Sequence, residues 1–370
     1  MKRIVVSVTN DLTTDQRVDR ICTTLSQNNY EIILIGRQLS NSKPISRNYK
    51  THRFKLLFNK GFLFYAEYNI RLFIKLLFSK PNILLANDLD TLLANFLASK
   101  FLKTKLVYDS HELFTEVPEL IHRPFIQNIW LTIEKFIVPK LKNMYTVNSS
   151  IASIYTKKYA INVQIIRNIA LKLNIEPSSA NFIKKIKKGK RMLILQGSGI
   201  NIDRGAEEAV EMMRYVENAI LYIIGSGDVF TLLKEKRKSL KLEEKVIILD
   251  KMPYAELLKY TKVADLGLSL DKKTNLNYEY SLPNKVFDYI QCNTPILASN
   301  RKEVASLITK NNLGKITTSH NPQKLAKIVN EILANKKEYD TWKENLKKAA
   351  EIYNWENESK KLIEIYTKLN

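Results

Sequence analysis

Cysteine is almost absent, since Cys22 and Cys292 are the only two in 370 residues. Two isolated cysteines give neither a disulfide framework nor zinc-site spacing, and they favour a reducing cytoplasm. Uninterrupted apolar runs of membrane-spanning length are also lacking, because the best candidate, residues 61–78, contains Glu67, Arg71 and Lys75. These three charges lie four residues apart on one helical face, which is typical of an amphipathic surface helix.

Negative charge is scarce as well: 37 Asp and Glu oppose 59 Lys and Arg, for a formal net charge of +22. Such a balance favours phosphates, nucleic acid or an anionic membrane surface as partners. Base-stacking motifs and recognition modules are lacking, which argues against a specific nucleic-acid partner. The basic and aromatic residues of 62–78 suit peripheral membrane binding, but packing of this helix on its own domain explains them equally well.

Short β-branched runs alternate with helical stretches throughout, and this pattern predicts parallel sheets covered on both faces. The polar, basic segment Leu173–Lys190 has the character of a linker. We therefore predict an α/β protein with two Rossmann-like domains, residues 1–172 and 188–350, whose sheets face each other across a central cleft. A last helix, about 353–370, is expected to pack back on the first domain. The predicted strands are 4–8, 32–35, 83–86, 106–108, 145–148, 164–166, 192–195, 219–224, 246–249, 266–270, 295–298 and 315–317.

Two glycine-containing loops follow strands in the second half. Gln196–Gly205 includes Gly197, Asn201 and Arg204, and leads into a helix whose free N–H groups could join the arginine in binding an anion. An ordinary loop with a surface arginine is an equally good interpretation. The other loop contains the pair Gly225 and Gly227 but lacks the third glycine of the dinucleotide fingerprint, which argues against a dehydrogenase.

The most informative segment begins at Ser281-Leu282-Pro283-Asn284-Lys285. Proline suits a first helical turn, so a short helix is predicted to begin near Pro283. Its N-terminus could hold phosphate while Asp288, one turn in, binds ribose hydroxyls. The alternative is that Asp288 is a solvated surface carboxylate.

Polar side chains also follow the predicted strands of the first half. His111 lies between Asp109 and Glu112, either of which could fix its tautomer for catalysis, whereas a structural histidine is the alternative. Asp88 and Asp90 favour helix capping over metal binding, and no His or Cys cluster supports a metal. The candidate acceptor-side residues are Asn10, Asp11, Arg17 and Asp88.

These motifs, in this order, resemble a GT-B fold retaining glycosyltransferase of family 4, the group 1 glycosyltransferases. The resemblance covers nearly the whole chain. It implies a nucleoside-diphosphate sugar donor, transfer with retention, and no metal or other cofactor. Ser198 stands where the family has an arginine, and Arg204 stands where it has a lysine six residues later. Tyr280 and Asp288 stand where it has two glutamates.

We therefore expect a hexosyltransferase-type enzyme acting on a hydroxyl of a glycan or lipid-linked saccharide, in the cytoplasm or at the inner membrane face. His111 and Arg204 are the catalytic candidates. A sugar-nucleotide 2-epimerase of the same fold and a basic nucleic-acid-binding protein are the alternatives. The donor-binding candidates are Gly197, Asn201, Arg204, Gly225, Gly227, Ser281, Leu282, Pro283, Asn284, Lys285 and Asp288.

Overall fold

The computed structural model describes residues 1–13, 15–173 and 178–369. The chain divides into two compact units, one formed by Met1–Asn168 with the stretch from Glu358 onward and the other by Ile169–Asn357. Each unit contains one parallel sheet with helices, so the predicted pair of α/β domains is confirmed. In the described parts of the chain, no helix is both long enough and apolar enough to cross a membrane.

The sheet of the first unit has the order β3-β2-β1-β4-β5-β6-β7. Its strands are β1 (Lys2–Asp11), β2 (Tyr30–Gln38), β3 (Lys50–Lys55), β4 (Ile83–Asn87), β5 (Lys105–Ser110), β6 (Asn143–Thr146) and β7 (Gln164–Ile165). Its helices are α1 (Gln16–Gln27), α2 (Gly61–Phe78), α3 (Leu89–Leu102), α4 (Pro118–Ile121), α5 (Pro124–Ile137) and α6 (Ser149–Tyr159), with 3₁₀ helices at Phe114–Glu116 and Val138–Lys140.

The sheet of the second unit has the order β10-β9-β8-β11-β12-β13. Its strands are β8 (Arg191–Gly197), β9 (Ala219–Gly225), β10 (Val246–Asp250), β11 (Leu266–Ser269), β12 (Ile296–Ser299) and β13 (Gly314–Thr317). The helices are α7 (Ala180–Lys187), α8 (Ala206–Met212), α9 (Phe230–Ser239), α10 (Tyr254–Val263), α11 (Leu276–Tyr280), α12 (Asn284–Gln291), α13 (Lys302–Asn311), α14 (Pro322–Ala334), α15 (Lys336–Ile352) and α16 (Trp355–Thr367), the last of which continues into the first unit.

Strand β8 shows why this sequence forms a sheet covered on both faces. Leu193 and Leu195 join the apolar core on one side of the sheet, whereas Met192 and Ile194 join the core on the other side. All four side chains are fully buried. Because alternate residues of a strand point to opposite faces, a continuous apolar run fills two cores at once.

Both sheet orders place a reversal of strand order near the middle of the sheet. The first strand of each unit lies between its second and fourth strands, so the chain direction across the sheet switches between β1 and β4 and between β8 and β11. Loops at the carboxyl ends of strands diverge at such a switch point, and ligands bind there in open parallel sheets. In the second unit, a ligand is therefore expected near the residues that follow β8 and β11.

Strand β3 and helix α7 are not predicted by the sequence. The strand reads Lys-Thr-His-Arg-Phe-Lys and lacks an apolar pattern because it is an edge strand, where charged residues discourage further pairing. The helix lies in the segment taken for a linker, and its Ile186 is buried in the core of the second unit. Residues 174–177 of that segment lie outside the described residues.

Candidate functional site

The two glycine loops of the second unit brace each other through backbone contacts. The amide of Ser226 donates to the carbonyl of Gly197 at 3.1 Å, and that of Ile200 donates to the carbonyl of Ser226 at 2.9 Å. Gly225 has φ +149°. A Cβ there would lie 1.7 Å from the carbonyl oxygen of Gly197, and one at Gly227 would lie 1.9 Å from that of Ile200. Both glycines therefore permit the close approach of two backbones.

Gly225→Ala should lower the free energy of unfolding of the second unit by more than about 1 kcal/mol, because both the backbone angle and the Cβ clash oppose alanine. Gly199→Ala is the matched control, since no atom lies within 4 Å of a Cβ built there. Denaturant titration of both variants measures the difference. Equal stabilities would show that the two loops do not need this close approach.

Arg204 lies next to a buried carboxylate, that of Asp271, just beyond β11. Its Nη1 is 3.2 Å from Asp271 Oδ2, and its guanidinium lies 4.0 Å from the centroid of the Tyr278 ring. Lys285 Nζ is 3.8 Å from the other oxygen, Asp271 Oδ1. Two predicted phosphate-binding cations, from the loop after β8 and from α12, thus meet at the switch point of the sheet.

The electrostatics of this cluster leave it one positive charge in excess. Asp271 is 2% exposed. Burial lowers the pKa of Lys285, the carboxylate of Asp271 opposes this shift, and the charge of Arg204 adds to it. Burial also opposes the charge of Arg204, but Asp271 raises the pKa of its guanidinium. Within the described residues, Arg204 Nε and Asp271 Oδ1 are buried without a hydrogen-bond partner. An anion here would relieve the repulsion between the two cations.

The helix that the sequence predicts to begin near Pro283 is α12, and it begins one residue later, at Asn284. Pro283 is the N-cap, and Asn284 is the first helical residue and exposed. The hydroxyl of Ser281 donates to the carbonyl of Tyr278 at 3.1 Å, and Leu282 packs against the apolar core. These contacts fix the approach of the chain to the helix.

Asp288 does not lie on a solvated face, contrary to the alternative considered from sequence. It is 7% exposed, accepts a hydrogen bond from Gln196 Nε2 at 2.9 Å and accepts another from the hydroxyl of Tyr254 at 2.6 Å. Both carboxylate oxygens are thereby engaged, which leaves ribose binding by Asp288 unsupported. Asn201 likewise accepts from the amide of Asp228 at 3.3 Å and so bridges the two glycine loops.

In the first unit, His111 lies between two carboxylates at the carboxyl ends of β4 and β5. Its Nδ1 is 3.0 Å from Asp88 Oδ2, and its Nε2 is 3.1 Å from Asp109 Oδ2. Burial opposes a charge on the ring, but these two carboxylates raise the pKa of His111 well above its usual value. Both ring nitrogens of His111 face carboxylates, which favours the protonated ring and does not suit a general base.

The backbone at Asp88 is strained, with φ 56° and ψ 168°. Its side chain makes no hydrogen bond that caps α3, contrary to the preferred sequence interpretation, and instead accepts from the amide of His111 at 2.8 Å. Strain of this kind costs about 1–3 kcal/mol and persists where surrounding contacts hold it. The other aspartate, Asp90, accepts from the Thr9 hydroxyl, and burial raises its pKa to about 7.

Arg17 is buried in the first unit rather than exposed at the surface of α1. It is 3% exposed, and its guanidinium donates to both oxygens of Asp109, at 3.0 and 2.7 Å, and to the carbonyl of Ile166 at 3.0 Å. Its predicted role on the acceptor side is therefore unsupported, because burial and these internal hydrogen bonds occupy the guanidinium. Asn10 is exposed and Asp11 is half-buried at the end of β1.

Comparison with known proteins identifies the second unit. Residues 178–349 match the family described as glycosyl transferases group 1. The second unit therefore contains a group 1 glycosyltransferase domain. No curated protein sequence matches the chain significantly.

Solved glycosyltransferase structures share its GT-B fold over the whole length. Sucrose-phosphate synthase from Thermosynechococcus elongatus is 14% identical with a TM-score of 0.83, covering 100% of this chain and 99% of that chain. HepE from Anabaena, solved with UDP and glucose, is 14% identical with a TM-score of 0.73, covering 100% of both chains. WaaG, a glycosyltransferase involved in lipopolysaccharide biosynthesis, is 13% identical with a TM-score of 0.76, covering 98% of this chain and 99% of that chain.

Sequence reasoning missed Asp271 in this glycosyltransferase. The sequence does carry a signal for it, since Asp271 lies just after the buried strand β11, as Asp88 lies just after β4. It also missed the ion pair of Glu279 and Arg301, whose Oε2 and Nη1 are 2.6 Å apart. That pair joins α11 to the start of α13 and has no sequence signature, because the residues lie 22 positions apart.

Proposed function

We propose that this glycosyltransferase moves a hexosyl group from a nucleoside-diphosphate sugar to a hydroxyl of a glycan or lipid-linked saccharide, with retention and without a metal. The observation that carries the proposal is the meeting of Arg204 and Lys285 beside Asp271 at the sheet's switch point. A diphosphate is the ligand with the charge and geometry to bridge a guanidinium and an ammonium group.

The donor class is supported by the similar fold of HepE, which was solved with UDP-glucose. In the present chain, the start of α12 at Asn284 would add backbone N–H groups beside Lys285. Gly199, in the loop after β8, has no atom within 4 Å of a Cβ built there, and would let the nucleotide approach the backbone closely. Both features suit a nucleoside diphosphate.

Transfer requires stabilisation of the charge that develops on the leaving diphosphate. Arg204 and Lys285 would supply it, which is the role a metal ion has in other transferases. Retention fits a route in which the leaving phosphate accepts the acceptor's proton on the same face of the sugar. His111, charged and held by two carboxylates, would contribute as a cation rather than as a base.

The site of action that we propose is the cytoplasm, at the inner face of a membrane. Both cysteines are buried and unpaired, which suits a reducing compartment.

The test is incubation of the purified chain with a panel of nucleoside-diphosphate sugars, with and without saccharide acceptors. Release of nucleoside diphosphate should occur for one donor class, and NMR of the product should show the anomeric configuration of the donor. An inverted product would contradict retention. Formation of an epimeric donor in the absence of acceptor would contradict transfer and favour an epimerase.

A further inference from the structure

We propose that the outer face of helices α2, α3 and α5 in the first unit, here called the helical face, docks on an anionic lipid bilayer. The inference rests on the proposed site of action at a membrane, but it is independent of the donor chemistry because it concerns a surface of the other unit. It combines an unpartnered apolar surface with a lysine-rich cavity at its edge.

Helix α2 carries apolar residues on two opposite sides. Phe64, Tyr68, Leu72 and Leu76 form the buried stripe that packs on the sheet. The residues of the opposite stripe are spaced by four or eight positions and are largely exposed to solvent. Phe62 is 73% exposed, Ile70 62%, Ile74 50% and Phe78 80%. It extends for about 24 Å along the helix at 1.5 Å per residue. A helix that only covers the core of its domain needs one such stripe.

Helices α3 and α5 extend this apolar surface. Helix α3 packs against both α2 and α5. Its Phe101 is 77% exposed, and on α5 the side chains of Phe125 and Phe136 are 79% and 56% exposed. Phe125, Ile129 and Phe136 fall on one side of α5, opposite buried residues such as Trp130. Exposed apolar residues concentrated on neighbouring helices mark an interaction surface rather than scattered surface residues.

A cavity of about 360 Å³ lies at the edge of the helical face, where α3 ends and β5 and β6 begin. Its lining includes five lysines, Lys100, Lys103, Lys105, Lys140 and Lys142, and no acidic side chain among the described lining residues. Lys140 Nζ also lies 3.1 Å from the centroid of the Phe136 ring, so the basic and apolar parts are in contact. The cavity suits the phosphate of a lipid head group.

Charge favours a bilayer over a second copy of this chain. Between residues 57 and 142, nine Lys and Arg residues are exposed, whereas Glu119 is the one exposed acidic residue of that stretch. Two copies meeting through this face would bring like charges together, and anionic lipid would neutralise them. The apolar stripe could then enter the boundary between head groups and acyl chains.

The test is co-sedimentation of the full chain with vesicles of phosphatidylcholine alone and of equal parts phosphatidylcholine and phosphatidylglycerol. We expect pelleting with the anionic vesicles only, and weaker pelleting as salt is raised. The triple variant Lys100→Glu, Lys103→Glu, Lys140→Glu should reduce the partition coefficient by more than roughly tenfold. The variant Phe62→Ser, Ile70→Ser, Phe78→Ser should abolish pelleting.

The matched control is Lys238→Glu, Lys324→Glu, Lys327→Glu, which makes the same change in net charge with exposed lysines of the second unit. It should pellet nearly as the wild type does. An equal loss in this control would overturn the proposal, since net charge alone would then explain binding. Absence of pelleting with anionic vesicles would also overturn it, as would self-association in light scattering that the serine variant removes. Donor-dependent thermal stabilisation, measured in parallel, reports on the proposed function separately.

Discussion

Replacing Arg204 by alanine should lower kcat/KM for sugar transfer by roughly a hundredfold to a thousandfold, the loss typical of removing one group that stabilises developing negative charge. Arg204 shares Asp271 with Lys285. Lys285 remains to neutralise this carboxylate in the variant, so the second unit should stay folded. Steady-state release of nucleoside diphosphate measures the effect.

Arg214→Ala provides the control for this experiment, because Arg214 is an exposed arginine of the same unit, just after α8. Its kcat/KM should stay within about twofold of the wild-type value, as expected for a surface substitution. Arg204→Lys should fall between the two, since an ammonium keeps the charge but loses the planar fork. Near-normal turnover of Arg204→Ala would mean that the phosphate is held elsewhere.

Asp109→Asn should destabilise the first unit by about 3–5 kcal/mol at neutral pH, because it removes the carboxylate that neutralises a buried arginine. Asp109 is fully buried, accepts from Arg17 at 3.0 and 2.7 Å, and also faces His111. Denaturant titration of wild type and variant gives the difference. Glu119→Gln, which alters an exposed carboxylate of the same unit, should leave stability within about 0.5 kcal/mol of wild type.

The effect of Asp109→Asn should depend on pH in a stated direction. Burial opposes the charge of Asp109, but Arg17 and His111 hold its pKa below the usual value. The stability that it contributes is therefore fully present above the carboxyl's unfolded pKa of about 3.9 and is lost as pH falls through the lower, folded pKa. The wild type and the variant should converge in acid. A difference that grew as pH fell would contradict this network.

His111 contributes stability with the opposite pH dependence. Its pKa is raised in the folded protein, so its contribution is fully present below the unfolded value of about 6.5 and is lost as pH rises through the folded pKa. The buried chain of charges in the first unit should therefore be most stabilising in mildly acidic solution.

The strand pattern of the sequence was sufficient for the fold, because buried parallel strands are continuous apolar runs. Every predicted strand is present in the structure. Strand β3 is not predicted, because an edge strand need not be apolar. The loops that carry Arg204 and His111 could be located for the same reason, since they follow those strands.

The partners of the charged residues were not predictable from local sequence. Arg17 bonds to Asp109 and Gln196 bonds to Asp288, each across 92 residues. A helical pattern places such side chains on a face but does not say what lies against it. Arg17 and Asp288 were therefore assigned to ligands, whereas the structure occupies both with internal hydrogen bonds. Asp271, which lies beside both Arg204 and Lys285, is the most important partner that the sequence does not predict.

The central claim, that Arg204 and Lys285 form a nucleoside-diphosphate site, is tested most directly by thermal denaturation with a panel of nucleoside diphosphates. The nucleoside diphosphate with the correct base should raise the Tm of the wild type by several degrees. A ligand at a hundred times its Kd stabilises the folded protein by about 2.7 kcal/mol. The shift should disappear in Arg204→Ala and persist in Arg214→Ala. The claim would be contradicted if no diphosphate in the panel raised the Tm, or if Arg204→Ala showed the same shift as the wild type.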